Sequence, residues 1–478
     1  MPANFIPPSG VEYLRILPEM ILAAVATLIM VLEPLTPAPR KRALGYLAFL
    51  GFAAALAGAA VAGWRPGPAF SGMLEVDGFA TFFRLLVILA GLLVTLVSFS
   101  YLRREEAESG EYYALLLYSV AGQTLMVSAA ELIVLFIGLE ISSIASYVLA
   151  GYLRREKLAN EAAAKYFLLG SFATAFLLYG IALTYGATGT TRLSGIAQAL
   201  SDLRMAAAGI LTGTAAALML VGLAFKISAA PFQVWAPDVY QGAPSPVTAF
   251  LAAGPKAAAF AVLLRVFMTA FAPLTGRWLA IVWSLSLLTM IAGNFAALLQ
   301  TNIKRLLAYS SIAHAGYVLV AVTAHSEEGV EAAMFYLAVY VFMNIGAFAV
   351  VAYFARKGER YVEIEDLAGL GERQPVIAAL FAVILLSLIG VPPTAGFLGK
   401  FYIFKAAIKA GLVWLTVLGL LNSAVAAYYY LRLIVIMYMK EPGESLLDLP
   451  RMAVSTRAAL WTSAAALVIL GLFPALIQ

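Results

Sequence analysis

Residues 222–258 read GLAFKISAAPFQVWAPDVYQGAPSPVTAFLAAGPKAA. The stretch is apolar enough to sit in a bilayer, yet it holds two lysines, Lys226 and Lys256, and five prolines. A proline inside a helix removes a backbone hydrogen bond and clashes with the preceding turn. In hydrocarbon such a break survives only where protein or cavity water satisfies the freed groups. The stretch therefore predicts a membrane helix that breaks after Ser228, around Pro231 and Pro237, with an ammonium group beside the break.

The whole chain agrees with that setting. Of 478 residues, 63% are hydrophobic and 12% charged, with a mean hydropathy of +0.92, against roughly 25% charged residues in a soluble domain. There is no cysteine, and the two histidines are His314 and His325. Iron–sulfur clusters need several thiolates, so electron transfer inside this chain is not expected. There is no dinucleotide fingerprint or P-loop, which leaves a partner or an ion gradient as the energy source. The net charge of +5 does not argue for nucleic acid, because the basic residues lie in membrane loops. The first apolar run opens after Pro7 and Pro8 without a basic start or a small-residue cleavage site, and reads as a retained span.

A span needs about 20 apolar residues. On that basis helices are expected near 12–33, 43–63, 77–101, 112–129, 131–152, 161–186, 206–229, 247–271, 278–299, 305–324, 331–355, 375–410, 412–439 and 457–477, fourteen in all. Alternate connections divide the basic residues seventeen to four, with only Arg65, Arg192, Arg204 and Arg277 on the poorer side. The positive-inside rule then puts both termini outside. The run 375–410 is too long for one straight span and carries Gly390, Pro392, Pro393 and Gly396 near its middle, so it reads as a second broken helix. The chain also repeats itself: SSIASYVLAGY from Ser142 resembles SSIAHAGYVLV from Ser310, and Glu161–Tyr166 resembles Glu331–Tyr336. The expected fold is an all-α polytopic membrane protein with about fourteen helices. It contains two inverted five-helix repeats, helices 4–8 and 9–13, each with a broken helix. The segments are 1–109, repeat one at 110–272, repeat two at 273–440, and a loop with the last helix at 441–478.

Few charges fall within spans: Arg84, Glu140, Lys165, Lys226, Lys256, Arg265, Lys400, Lys405, Lys409 and Arg432. A central Lys or Asp costs about 3 kcal/mol on insertion scales. Long side chains near a span's end can snorkel instead, which suits Lys405 and Lys409. Arg84, Arg265 and Arg432 read as pairing or packing residues. Glu140 is too short to snorkel from mid-helix. Lys226 and Lys400 lie beside the two breaks, and Lys256 lies well inside its helix. Lys165 follows Glu161 by four residues, the spacing of a helical ion pair. His314 sits inside a span and is suited to proton relay. A buried Lys can lose its proton, whereas Arg effectively cannot. Glu140, Lys165, Lys226, Lys256, His314 and Lys400 are therefore the expected proton-relay residues.

At these residues the chain resembles a known family. FKISAAPFQVWAPDVYQGAPSPVTAFL, GPKAAAFAVLLR, EAAAKYFLLGS, NIKRLLAYSSIAHAGY, EDLAGLGERQP and GVPPTAGFLGKFYIF resemble the subunit N family of bacterial NADH:quinone oxidoreductase. This is respiratory complex I, whose mitochondrial equivalent is subunit 2, within the Mrp-type antiporter superfamily. The resemblance spans essentially the whole chain. It implies a proton-pumping membrane-arm subunit in the bacterial inner membrane. Glu140 and Lys226 resemble the family's essential pair, Lys256 the central lysine, Lys165 the auxiliary one and Lys400 the terminal one. The second repeat has Ala308 where Glu140 would align and Phe335 where Lys165 would align. The resemblance also implies an antiporter-like neighbour and small helical subunits as partners. Flavin, iron–sulfur clusters and quinone would sit on partner subunits, with no cofactor or metal in this chain. The alternative is a subunit of a multisubunit Na⁺/H⁺ antiporter, which fits DVYQGAPSPVTAFL less well. A structural scaffold would explain the spans but not titratable lysines beside helix breaks.

Overall fold

The computed structural model describes residues 8–202, 206–446 and 449–476. Arg204, one of the four basic residues expected on the poorer side, and the end of the last expected helix at 477 lie outside the described residues. The chain opens with α1 (Gly10–Arg15) and α2 (Leu17–Leu32), so the span expected at 12–33 is divided at Ile16, just before Pro18. The helices α3 (Arg42–Gly63), α4 (Gly78–Arg104), α5 (Gly110–Val127), α6 (Leu132–Ala150) and α7 (Lys157–Thr188) follow. Next come α8 (Leu193–Asp202), α9 (Ala206–Ile227), α10 (Ala236–Gly242) and α11 (Ser245–Arg265). The second half holds α12 (Thr275–Leu298), α13 (Ile303–Thr323), α14 (Glu327–Phe354), α15 (Leu370–Arg373), α16 (Pro375–Ile389), α17 (Ala395–Lys409), α18 (Val413–Met439) and α19 (Val454–Leu472).

Helix thus occupies every segment that the sequence marks as a span, and among the described residues eleven helices are long and apolar enough to cross a membrane. Two features had no clear sequence signal. A hairpin of β1 (Gly67–Ala69) and β2 (Leu74–Val76) follows α3, and α8 occupies a stretch expected to be a plain connection. The element order also repeats. Three helices, α5 to α7, precede a helix that breaks between α9 and α10, and then α11. The same series runs α12 to α14, a break between α16 and α17, and then α18.

Without a hydrophobic driving force between helices in lipid, close contact depends on small residues. Gly122 of α5 and Gly138 of α6 supply it: a Cβ on either would lie within 2.8 Å of the other's carbonyl oxygen. Gly122→Val is expected to lower the amount of assembled chain severalfold, because overpacking of this kind costs about 1–3 kcal/mol. Native gel electrophoresis of membrane extracts checks it, and wild-type levels would show that α5 and α6 can part without loss. The helices α11, α13 and α14 form the buried centre, while α7, α12, α18 and α19 expose much of their surface.

The breaks explain themselves by their hydrogen bonds. Helix α9 stops at Ile227, and Ser228 takes a positive φ of 60°. The indole of Trp235 donates to Phe225 O at 2.9 Å, and Ala230 N donates to Thr289 Oγ1 of α12 at 2.9 Å. Pro237 is not part of the break, contrary to expectation. It lies in the first turn of α10, where its missing N–H would have no helical partner. Helix α16 ends at Gly390, whose φ of +89° suits glycine. Here the freed carbonyls of Leu388 and Ile389 accept from the Lys400 ammonium at 3.1 and 2.8 Å.

Candidate functional site

The first break places Lys226 at the last turn of α9, facing α6. Its Nζ donates to Ser143 Oγ at 2.7 Å and to Tyr147 Oη at 3.2 Å. Glu140 lies on the same helix one turn before Ser143. No ion pair joins Glu140 to Lys226 among the described residues; two hydroxyls hold the ammonium. Glu140 is half-buried, and its Oε1 is enclosed without a hydrogen-bond partner. It borders the exposed stripe Ile133, Ile137, Ile141, Ile144 and Val148 of α6.

Lys226 also lines a cavity of about 20 Å³ with Ser142, Ser143, Ser146, Tyr166 and Pro255. That is room for about one water, which needs roughly 10–15 Å³. Behind it, Ser119 contacts Ser142 and Ser146 at 3.0 and 3.2 Å, and the Gln123 amide donates to Ser119 and Ser142. Pro255, the residue before Lys256, belongs to the lining of the same pocket.

Lys256 is 2% exposed and donates to Ser311 of α13, at 3.1 Å to the carbonyl and also to Oγ. One turn further along α13, His314 is 1% exposed. Its Nε2 meets Tyr430 Oη at 3.1 Å and its Nδ1 meets Tyr336 Oη at 2.5 Å. Tyr430 also contacts Ser310 Oγ. The adjacent Tyr429 donates to Asn294 Oδ1 at 3.1 Å, and the Asn294 amide donates to Tyr317 Oη at 3.2 Å. The Tyr317 ring lies 4.8 Å beneath the Lys400 ammonium. Lys400 is 6% exposed and donates to Ser423 Oγ at 2.8 Å besides its two carbonyls.

The structure thus brings Lys256, His314 and Lys400 into one buried polar series with Lys226 at its edge. Lys165 stands apart. It is 40% exposed at its side chain and pairs with Glu161 at 2.7 Å, as its spacing predicted, and with Asp238 at 2.6 Å. Asp238 also pairs with Arg305 at 2.7 Å. Burial raises the Asp238 carboxyl, but the bonds from Lys165 and Arg305 outweigh it and hold it below the usual carboxylate range. Ala308 and Phe335, which replace the acidic and basic partners in the second half, are both buried. The outer arginines behave as structural ties: Arg84 pairs with Glu19 at 2.9 Å, and Arg265 with Asp77 at 2.8 Å.

Sequence reasoning missed Ser143, Tyr147, Ser311, Tyr336, Tyr430 and Ser423, which hold the charged groups. Their signal was present only as polar residues within spans, and hydroxyls cost too little in hydropathy to stand out.

Known proteins share this chain's sequence and fold. A family model described as NADH:quinone oxidoreductase/Mrp antiporter, TM, matches residues 129–426. NADH-quinone oxidoreductase subunit N 1 of Solibacter usitatus is 60% identical over 97% of this chain and 95% of its own length. NADH-quinone oxidoreductase subunit N of Trichlorobacter lovleyi is 47% identical over 97% and 94%. Among solved structures, a chain of respiratory complex I from Thermus thermophilus with bound aureothin superposes with a TM-score of 0.82. It is 38% identical, with 96% of this chain and 98% of that chain covered. A chain of the Mrp complex from Dietzia sp. has a TM-score of 0.85 over 97% and 95%, but at 22% identity it speaks to the fold alone.

Proposed function

The chain belongs to the subunit N family of NADH-quinone oxidoreductase, and from that premise we propose that it is a proton-translocating membrane-arm subunit of such a complex. Electron transfer takes place on partner subunits, which carry the flavin, iron–sulfur clusters and quinone. This chain supplies the relay: Glu140 and Lys226, then Lys256, His314 and Lys400. The observation that carries this reading is the buried series from Lys256 to Lys400, whose lysines are bonded to hydroxyls and carbonyls and, among the described residues, to no carboxylate. A lysine so placed gains no ion pair to pin its proton, while hydroxyls can donate to the amine or accept from the ammonium. Water bridges the remaining gaps. The repeated element order supports two inverted five-helix units, and the seventeen-to-four division of basic residues supports an orientation with both termini outside the bacterial inner membrane in which we place the chain.

The Na⁺/H⁺ antiporter reading is weaker, because the strong identities lie with subunit N proteins and the Mrp likeness is one of fold. Purification of the tagged chain tests the choice. Co-purification with iron–sulfur and quinone-linked subunits is expected, together with an antiporter-like neighbour and small helical subunits. A preparation holding only antiporter chains would overturn the assignment.

Protons enter near Glu161 and Lys165 in this scheme, on the basic side of the membrane. Lys165→Ala is expected to slow uptake from that side severalfold, and Lys165→Arg to restore part of it by replacing the charge. Proton uptake by reconstituted complex in proteoliposomes measures both. Wild-type rate and stoichiometry in Lys165→Ala would make Lys165 a snorkelling residue and remove the entry assignment.

A further inference from the structure

The sequence places Lys304 and Glu359 in a connecting region, yet the Lys304 side chain is completely buried. Its ammonium pairs with the Glu359 carboxylate and donates to Ala243 O at 2.6 Å. Glu359 receives three more bonds, from Tyr101 Oη at 2.7 Å, Ser245 N at 2.7 Å and Ser245 Oγ at 2.6 Å. One carboxylate therefore holds α4 through Tyr101, α11 through its first residue, and α13 through Lys304. The loop that carries it is itself tied down: Gly358 N donates to Glu105 Oε2 at 2.9 Å, and Arg104 donates to Ala352 O at 2.8 Å. At the opposite end of α11, Arg265 grips Asp77 with two bonds of 2.8 and 3.0 Å, and Asp77 caps α4 by accepting from Ala80 N. Helix α11 is thus fastened to α4 at both ends.

Two of the helices that meet at Glu359, α11 and α13, meet again further along, where Lys256 of α11 donates to Ser311 of α13. These are two polar rungs across one pair of helices. The inner rung is not suited to carry protons. Burial raises the Glu359 carboxyl, but the Lys304 charge and the donors around it outweigh that effect and hold it below the usual carboxylate range. A carboxylate saturated with donors stays an anion. Removing one partner of such a buried pair leaves an uncompensated charge.

We propose that Glu359 is a positioning residue for Lys256: by holding the inner ends of α11 and α13 on one carboxylate, it sets the register in which the Lys256 ammonium meets Ser311. The proposal rests on the relay reading above. It requires that loss of the inner rung disturb the other one, even in chains that fold and assemble.

The test measures protons pumped per NADH oxidised by assembled complex in proteoliposomes, normalised to subunit content. Glu359→Gln is expected to lower that ratio roughly fivefold per assembled complex. Lys304→Arg, which retains the pair, is expected to keep most of it. The double variant Glu359→Gln with Lys304→Gln removes the stranded charge, so it should assemble where Glu359→Gln alone fails, and it should still pump poorly. A purely structural clamp would change the yield of complex but not the ratio. A normal ratio in either Gln variant overturns the proposal, and so does failure of all three variants to assemble. Lys256→Ala is run in parallel. Normal pumping there defeats the relay reading itself, whereas a defective Lys256→Ala beside a normal Glu359→Gln defeats this proposal alone.

Discussion

Glu140→Gln and Lys226→Ala complexes are each expected to assemble, yet to pump protons roughly tenfold more slowly, a loss that corresponds to about 1.4 kcal/mol in barrier. The reason lies in how Lys226 is held. Ser143 and Tyr147 accept from its ammonium, and both hydroxyls can turn and donate to a neutral amine. The site therefore accommodates both protonation states at little structural cost. What biases it is charge nearby. Glu140 sits one turn before Ser143 on the same helix, and in the proposed scheme its carboxylate is that charge. Retreat of that charge, or its protonation, would favour release of the Lys226 proton into the 20 Å³ pocket that reaches Pro255. Gln keeps the shape of Glu140 and removes the bias. Ala at position 226 removes the proton carrier and leaves two hydroxyls that bond to each other or to water. Full pumping by both variants in proteoliposomes would end the case for the pair.

Much of this was legible in the sequence because membrane physics makes misfits visible. A carboxylate in LFIGLEISSIASY or a lysine in AAGPKAAAF is expensive enough in hydrocarbon to mark itself, and two proline-bearing interruptions mark the breaks. Partners were not legible. Tyr336, Tyr430 and Tyr317 look like any buried aromatic until the folded chain turns their hydroxyls toward His314 and Asn294. Lys304 shows a different failure. It stands at the end of an apolar run, where snorkelling is the ordinary outcome, and only the return of the loop at Glu359 encloses it. The hydroxyls that hold Lys226 were hidden for a related reason. Helix spacing cannot tell which of two residues one turn apart on α6, Glu140 or Ser143, will face α9.

Lys400→Arg separates fixed charge from proton exchange, and it is expected to leave assembly near normal while cutting pumping roughly tenfold, since Arg cannot give up its proton. The substitution is chosen for what Lys400 does structurally. Its ammonium satisfies the carbonyls of Leu388 and Ile389, which the end of α16 leaves without helical partners. Those carbonyls also form the negative end of the α16 dipole, so a cation there stabilises the break. Ala would remove the carrier and the cap together, and its failure would say little. Arg keeps a cation at the break and can still reach Ser423. Beside this site a cavity of about 450 Å³ runs along α17 past Lys405 to Lys409, which is exposed and paired with Glu328. Its lining is mostly apolar, with Phe397, Phe401, Phe404 and Leu420, so beyond Ser423 the polar groups it offers a proton leaving Lys400 are Lys405, Lys409 and Thr416, whether that proton exits there or passes to a neighbour. The measurement is the ratio of protons pumped to NADH oxidised, with assembly scored on the same preparation. If Lys400→Arg pumps at the wild-type ratio, Lys400 is a permanent cap for α16, and the relay ends at His314.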